Sequence, residues 1–244
     1  MMKFYTSVFT ILILVGCSES PAPQKMNQPT PSTVVRAPTP GEWKAALLGT
    51  YEESKVRDQG DGVTNFMAKF AGVPAGIDPQ AMGTRDAFRK LRIYHAGFSV
   101  NVVTGVKAYI SVPDNKRAIL FISPYYWGKD GWLFMNKISI MVDGDVVFEK
   151  DLKDVSRETQ GVGVSERADF IVNSAEISAL RAINNATSVI VRLSGDKGYV
   201  NLTKGKKKGQ IDSNGYFVSD IQSAIAIYDV IELAIKEHCP PQQN

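Results

Sequence analysis

The stretch Arg92-Ile93-Tyr94-His95-Ala96-Gly97-Phe98-Ser99-Val100-Asn101-Val102-Val103-Thr104-Gly105-Val106-Lys107-Ala108-Tyr109-Ile110-Ser111-Val112 decides the fold. Tyr94, Ala96, Phe98, Val100 and Val102 recur at every second position, and so do Val106, Ala108, Ile110 and Val112. A period of two sends alternate side chains to opposite faces of an extended chain, so both runs read as half-buried strands. Thr104-Gly105 between them is a turn signal, and the two runs are expected to pair as an antiparallel hairpin.

The same pattern continues toward the C-terminus. Arg117–Ser123 and Trp132–Val142 read as strands, Asp143-Gly144 as a type I′ turn, and Val146–Glu149 as the returning strand. Ala168, Phe170 and Val172 alternate once more. Asn173 with Glu176 then predicts a capped helix carrying Ile177, Leu180 and Ile183 inward. Ser188–Leu193 and Tyr199–Thr203 form a further hairpin around Gly195–Gly198. A final helix is expected with Ser219 as cap and with Ile221, Ala224, Ile225, Tyr228, Ile231 and Ile235 on its apolar face.

Toward the N-terminus, Trp43, Ala46 and Leu47, and again Phe66, Met67 and Phe70, have helical spacing, with Asp61 as a cap for the second set. Gly72–Gly83 reads as a loop and Thr84–Leu91 as a short helix. Nothing alternates strand, helix, strand, which disfavours a Rossmann-type fold. The expected fold is mainly β or α+β. It is an antiparallel β-sandwich-like domain with an N-terminal helical segment, one inserted helix and a C-terminal helix.

Composition bounds the function. The chain has 244 residues, 44% hydrophobic and 22% charged, with a formal charge of +3. These values exclude a disordered chain, a collagen-like repeat and a multi-span membrane protein. With 28 basic against 25 acidic residues, no strong field points to nucleic acid, and no such partner is expected. Two cysteines exclude a disulfide scaffold, and two histidines leave little for a metal site. No metal and no cofactor is expected.

The first seventeen residues carry an address. Lys3 is followed by Phe4–Val15, an uncharged and apolar-rich run of the length of a secretory h-region. A bilayer core of roughly 30 Å needs about 20 such residues, so the run is too short to span it. It ends in Leu14-Val15-Gly16-Cys17, which resembles the lipobox of bacterial lipoproteins: an aliphatic residue, a small residue, then the cysteine that receives acyl chains and becomes the new N-terminus. The resemblance implies lipidation of Cys17 and a bilayer as partner. Buried acyl chains contribute about 0.8 kcal/mol per CH₂, and several on one residue make a lasting anchor. Ser18 after the cysteine, rather than aspartate, implies sorting to the outer membrane of a Gram-negative envelope, with the domain facing the periplasm. Removing residues 1–16 leaves 27 basic against 25 acidic residues, so the membrane association rests on lipid and not on charge.

Residues 18–41 hold six of the twelve prolines and few large apolar side chains. Such a segment buries too little surface to offset its ordering entropy and reads as an extended tether. At about 3 Å per residue it reaches up to ~70 Å. The expected organisation is a signal peptide over 1–16, a lipidated cysteine and tether over 17–41, one globular domain over 42–238, and a tail over 239–244. The run of strand, capped helix, Val189–Gly195 strand and terminal helix resembles a pattern in uncharacterised bacterial envelope lipoproteins, and that resemblance implies no activity.

Catalytic constellations fail one after another. Ser194-Gly195-Asp196-Lys197 matches S-x-x-K but sits in a hairpin turn, and no K-T-G occurs. In Gly163-Val164-Ser165-Glu166-Arg167 an arginine replaces the last glycine of a nucleophile elbow. His95 lies on the less apolar side of its strand, and His238 and Cys239 lie beside the tail. Asp143, Asp145, Asp151 and Asp154 are explained by turns and strand ends. No catalytic residue is assigned. Two features suit binding better. Tyr125-Tyr126-Trp127 with Trp132 offers aromatic faces for a glycan or a protein partner. Lys204, Lys206, Lys207 and Lys208, between glycines, offer a cationic loop for lipid phosphates or an acidic partner. The expectation is a non-enzymatic binding or structural module for an unknown envelope protein or glycan. The alternatives are a cell-wall or glycan hydrolase using acids such as Asp114, Asp130 or Asp145, and a phage-encoded lipoprotein that excludes superinfection.

Overall fold

The computed structural model describes residues 39–97, 104–114, 116–203 and 213–238. Along the chain these form α1 (Pro40–Leu48), β1 (Tyr51–Gly60), β2 (Val63–Phe70), β3 (Gln80–Asp86), β4 (Leu91–Ala96), β5 (Gly105–Pro113) and β6 (Ile119–Gly128). There follow β7 (Met135–Val142), β8 (Asp145–Asp151), β9 (Ser156–Gln160), β10 (Gly163–Arg167) and β11 (Phe170–Ile171). The remainder is α2 (Ser174–Leu180), a 3-10 turn (Arg181–Asn185), β12 (Val189–Gly195), β13 (Gly198–Thr203) and α3 (Ser213–His238).

Strands β1 to β6 run as a meander, each hydrogen-bonded to the next, and β10 and then β9 extend that sheet beyond β6, with β11 also paired to β6. The second sheet has the order β13-β12-β7-β8. Every described pairing is antiparallel. One hydrophobic cluster takes in residues of both sheets, α2 and α3. The molecule is the antiparallel, β-rich α+β sandwich-like domain that the alternation predicts.

The inner face of the large sheet explains its local sequence. Phe66, Gly83, Tyr94, Ile110 and Leu120 stand opposite one another in turn across five strands. The Phe66 ring lies over Gly83, where a Cβ would come within 2.3 Å of it, so a side chain is excluded there. Tyr51, Phe66, Phe70 and Tyr94 form an aromatic group with centroids 5.2–6.1 Å apart. Helix α3 lies against β4, β5 and β6, and also against α1.

Several expectations are corrected. Residues 42–90 contain only one helix, α1, capped by Thr39 with Glu42 in a capping box. Phe66 and Phe70 are buried with Ala68 between them, so the true period is two and Met67 points to the other face. Asp61 caps no helix; it sits in the β1–β2 turn at φ 50°. Thr84–Asp86 belongs to β3, not to a helix. The strand expected from Trp132 begins at Met135, because Phe134 adopts φ 55°. Ser219 lies inside α3, which begins six residues earlier at Ser213. The capping box at Asn173 and Glu176, the Asp143-Gly144 turn with φ 49° and 103°, and the β12–β13 hairpin are found as expected.

Candidate functional site

Tyr125, Tyr126 and Trp127 are the last part of β6, opposite Arg167, Glu166 and Ser165 of β10. Alternation then separates them. Tyr125 is buried at 7% exposure, which removes it from any binding surface. Tyr126 rests against the core and donates its hydroxyl to the Gly131 carbonyl at 3.2 Å. Burial, and then the nearby Glu166 and Asp130, raise the pKa of its phenol. Trp127 projects from the opposite face of the strand. The Thr104 hydroxyl accepts from its N–H at 2.9 Å and donates to its carbonyl at 3.0 Å. Its ring lies beside Gly163, where a Cβ would meet it at 3.2 Å. The Lys129 ammonium stands 5.9 Å from the ring centroid.

Trp132 and Phe134 form a second pair, 6.5 Å apart and tilted by 42°. The Arg157 guanidinium lies 5.6 Å from the Phe134 ring. Glu166 fixes this segment. Its fully buried carboxylate accepts from the backbone N–H groups of Leu133, Phe134 and Met135 at 2.6, 2.8 and 2.6 Å, and from Arg157 Nε at 3.2 Å. A buried carboxylate is tolerated only when its lone pairs are filled, and successive amides make a concave anion seat. Glu166 thereby ties β10 of the large sheet to the start of β7 in the small one. Sequence reasoning passed over it. Three of its four partners are backbone groups 31–33 positions away, which leave no residue-type signature.

The large sheet also carries a row that the sequence reading left out. Met67, Met82, His95, Tyr109, Phe121 and Ile171 stand in register across six strands, on the face away from Tyr94 and Ile110. The Tyr109 and Phe121 rings stack at 4.8 Å and 2°. The phenol of Tyr109 is pushed up to about 12 by burial, with Asp169 adding to it. Burial, then Lys107 and Arg167, lower the pKa of His95.

The acids proposed for glycan hydrolysis do not converge. Asp114 follows β5 at the end where Ser111 faces Ile119, and its Oδ1 accepts from Arg92 at 2.7 Å. Asp130 lies beyond the opposite end of β6, so about ten residues at 3.3 Å each set the two roughly 30 Å apart. Asp145 opens β8 in the other sheet. Asp143 accepts from the N–H groups of Thr187 and Ser188 at 3.3 and 2.7 Å, a loop-fixing role. Among the described residues, no group of three His, Cys, Asp or Glu side chains is placed to hold a metal, and no helix is long and apolar enough to cross a membrane. Cys17, Cys239, Lys204, Lys206, Lys207 and Lys208 lie outside the described residues.

Comparison with protein-family models found no match, and comparison with curated proteins and with solved structures found none either.

Proposed function

We propose that this chain is a lipid-anchored envelope protein whose domain binds a glycan or protein partner without chemistry, through the end of the sandwich that carries Trp127 and Trp132. The observation that carries the reading is that both indoles have rigid support, with a cation against Trp127 and another against Phe134, the ring beside Trp132. Trp127 has Lys129 beside it, and Trp132 adjoins Phe134 and Arg157 on a segment pinned by Glu166. Aromatic faces held without loss of rotamer freedom are what hot spots of binding surfaces require. The address is read from Leu14-Val15-Gly16-Cys17 and the tether from residues 18–41, of which the last three, 39–41, form the capped start of α1.

Two measurements test the two halves. Cys17→Ser is expected to move the protein from the membrane to the soluble fraction; unchanged fractionation overturns the anchor. Crosslinking in intact cells is expected to trap a product that the double variant Trp127→Ala with Trp132→Ala loses while keeping its thermal transition. Retention of that product overturns the surface. Tyr126 is left intact in this design because its contact with the core would confound folding with binding.

A further inference from the structure

A cleft of about 510 Å³ opens between α1 and the β3–β4 turn, lined by Lys44, Arg85, Asp86, Ala87, Lys90, Leu91, Arg92 and Asp114. Four of these side chains are cationic and two anionic. Arg85 and Arg92 stand directly opposite each other on β3 and β4, and both belong to the inner face. Like charges at directly opposed positions destabilise a sheet. Arg92 is moreover only 3% exposed, which adds a desolvation cost.

The protein's own acids answer only part of this charge. Arg92 donates Nη1 to Asp114 at 2.7 Å, and Arg85 donates Nη2 to Glu53. The Nε atoms of both guanidinium groups are buried with no hydrogen-bond partner. Among the described residues, Lys44 and Lys90 have no carboxylate within ion-pair distance. Counting Glu53 on Arg85, four cations face three carboxylates, and the two ammonium groups at the mouth and the two guanidinium Nε atoms deeper in are what the protein's own acids leave unanswered.

We infer that this cleft is a phosphate-binding site, formed by Lys44, Arg85, Lys90 and Arg92. A phosphate group matches it in charge. It presents several acceptor oxygens to planar guanidinium forks, which hold such groups more firmly than a point charge does. Asp86 already accepts from the Arg89 N–H and Asp114 from Arg92, and their remaining lone pairs can accept from a hydroxyl or amine on the body of the ligand, so the chemistry fitted is a phosphate ester of a hydroxylated or aminated compound. Such a group comes either from a soluble ester or from a phospholipid headgroup.

The test uses the full chain in a neutral detergent, buffered without phosphate and held at constant ionic strength with chloride. Inorganic phosphate is one probe, and detergent micelles containing phosphatidylglycerol are the other, with phosphatidylcholine micelles as control. Binding to the folded state alone raises the unfolding temperature, by a few degrees once the probe is well above its dissociation constant. A rise with inorganic phosphate supports the site and assigns it to soluble esters. A rise with phosphatidylglycerol micelles alone supports it and assigns it to a headgroup. Lys44→Gln with Lys90→Gln, which touches no buried pair, is expected to weaken the response about tenfold. Arg92→Lys, which keeps the charge but removes the fork, is expected to weaken it as well. No rise with either probe overturns the proposal. So does an equal rise in the Lys44→Gln, Lys90→Gln protein, which means an adventitious ion only.

Discussion

Glu166 shows how much a single side chain organises. Three backbone donors and Arg157 converge on it, and all four lie at the junction of the two sheets. Glu166→Gln keeps the volume but turns one acceptor into a donor that faces a backbone N–H, and it leaves Arg157 uncompensated. Urea denaturation is expected to show a loss of about 3 kcal/mol, the range for one broken member of a buried charged network. A loss under about 1 kcal/mol means that water replaces the missing acceptor. His95 gives a prediction in pH. Its folded-state pKa is lowered, first by burial and then by Lys107 and Arg167, with Asp169 opposing. A lowered histidine pKa means that the folded state prefers the neutral ring. The contribution is complete above the unfolded value of about 6.5 and is lost as pH falls from there through the folded value. Between pH 7 and pH 5 the unfolding temperature of the parent is therefore expected to drop further than that of His95→Gln. Parallel curves for the two proteins refute the assignment.

At the scale of elements, α3 separates what the sequence discloses from what it hides. The predicted apolar face is largely present, with Ile221, Ala224, Ile225, Ile231 and Ile235 buried. The helix also buries Ser223, Ala226 and Ile227 on other sides, because it lies against both the large sheet and α1. Tyr228 from the predicted face is only half-buried. Ile227→Ala is expected to cost about 3 kcal/mol in chemical denaturation, against under 0.5 kcal/mol for Leu233→Ala on the exposed side. Equal effects would place α3 at the surface. Strands were legible where both neighbours and a core imposed a period of two, as in β5, β7 and β12, and in β4 at Tyr94 and Ala96, the rest of that expected run, Phe98, Val100 and Val102, lying outside the described residues. They were hidden where that pressure is absent. In β1 nine of ten residues are exposed, and Lys55 at φ 51° lies where the register with β2 shifts, so its charged sequence protects an edge and shows no alternation. In β3 the buried inward positions are only Ala81 and Gly83, the glycine kept bare because Phe66 from β2 fills the space above it, and small residues give no hydrophobic signal.

At the scale of the whole molecule, the two sheets share one apolar cluster and a carboxylate clasp, so they are expected to unfold together. The three tryptophans allow this to be measured, since Trp43 lies on α1 while Trp127 and Trp132 flank the junction between the sheets. One variant, Trp127→Phe with Trp132→Phe, leaves Trp43 as reporter; another, Trp43→Phe, leaves the junction pair. Each fluorescence transition is compared with far-ultraviolet circular dichroism of the same variant. Within each variant the two midpoints in urea are expected to coincide. An earlier fluorescence transition in the protein that keeps Trp127 and Trp132 would mean that the junction opens before the large sheet. The Glu166 clasp would then be a local latch, and the aromatic end proposed for binding would move independently of the core that is meant to hold it rigid.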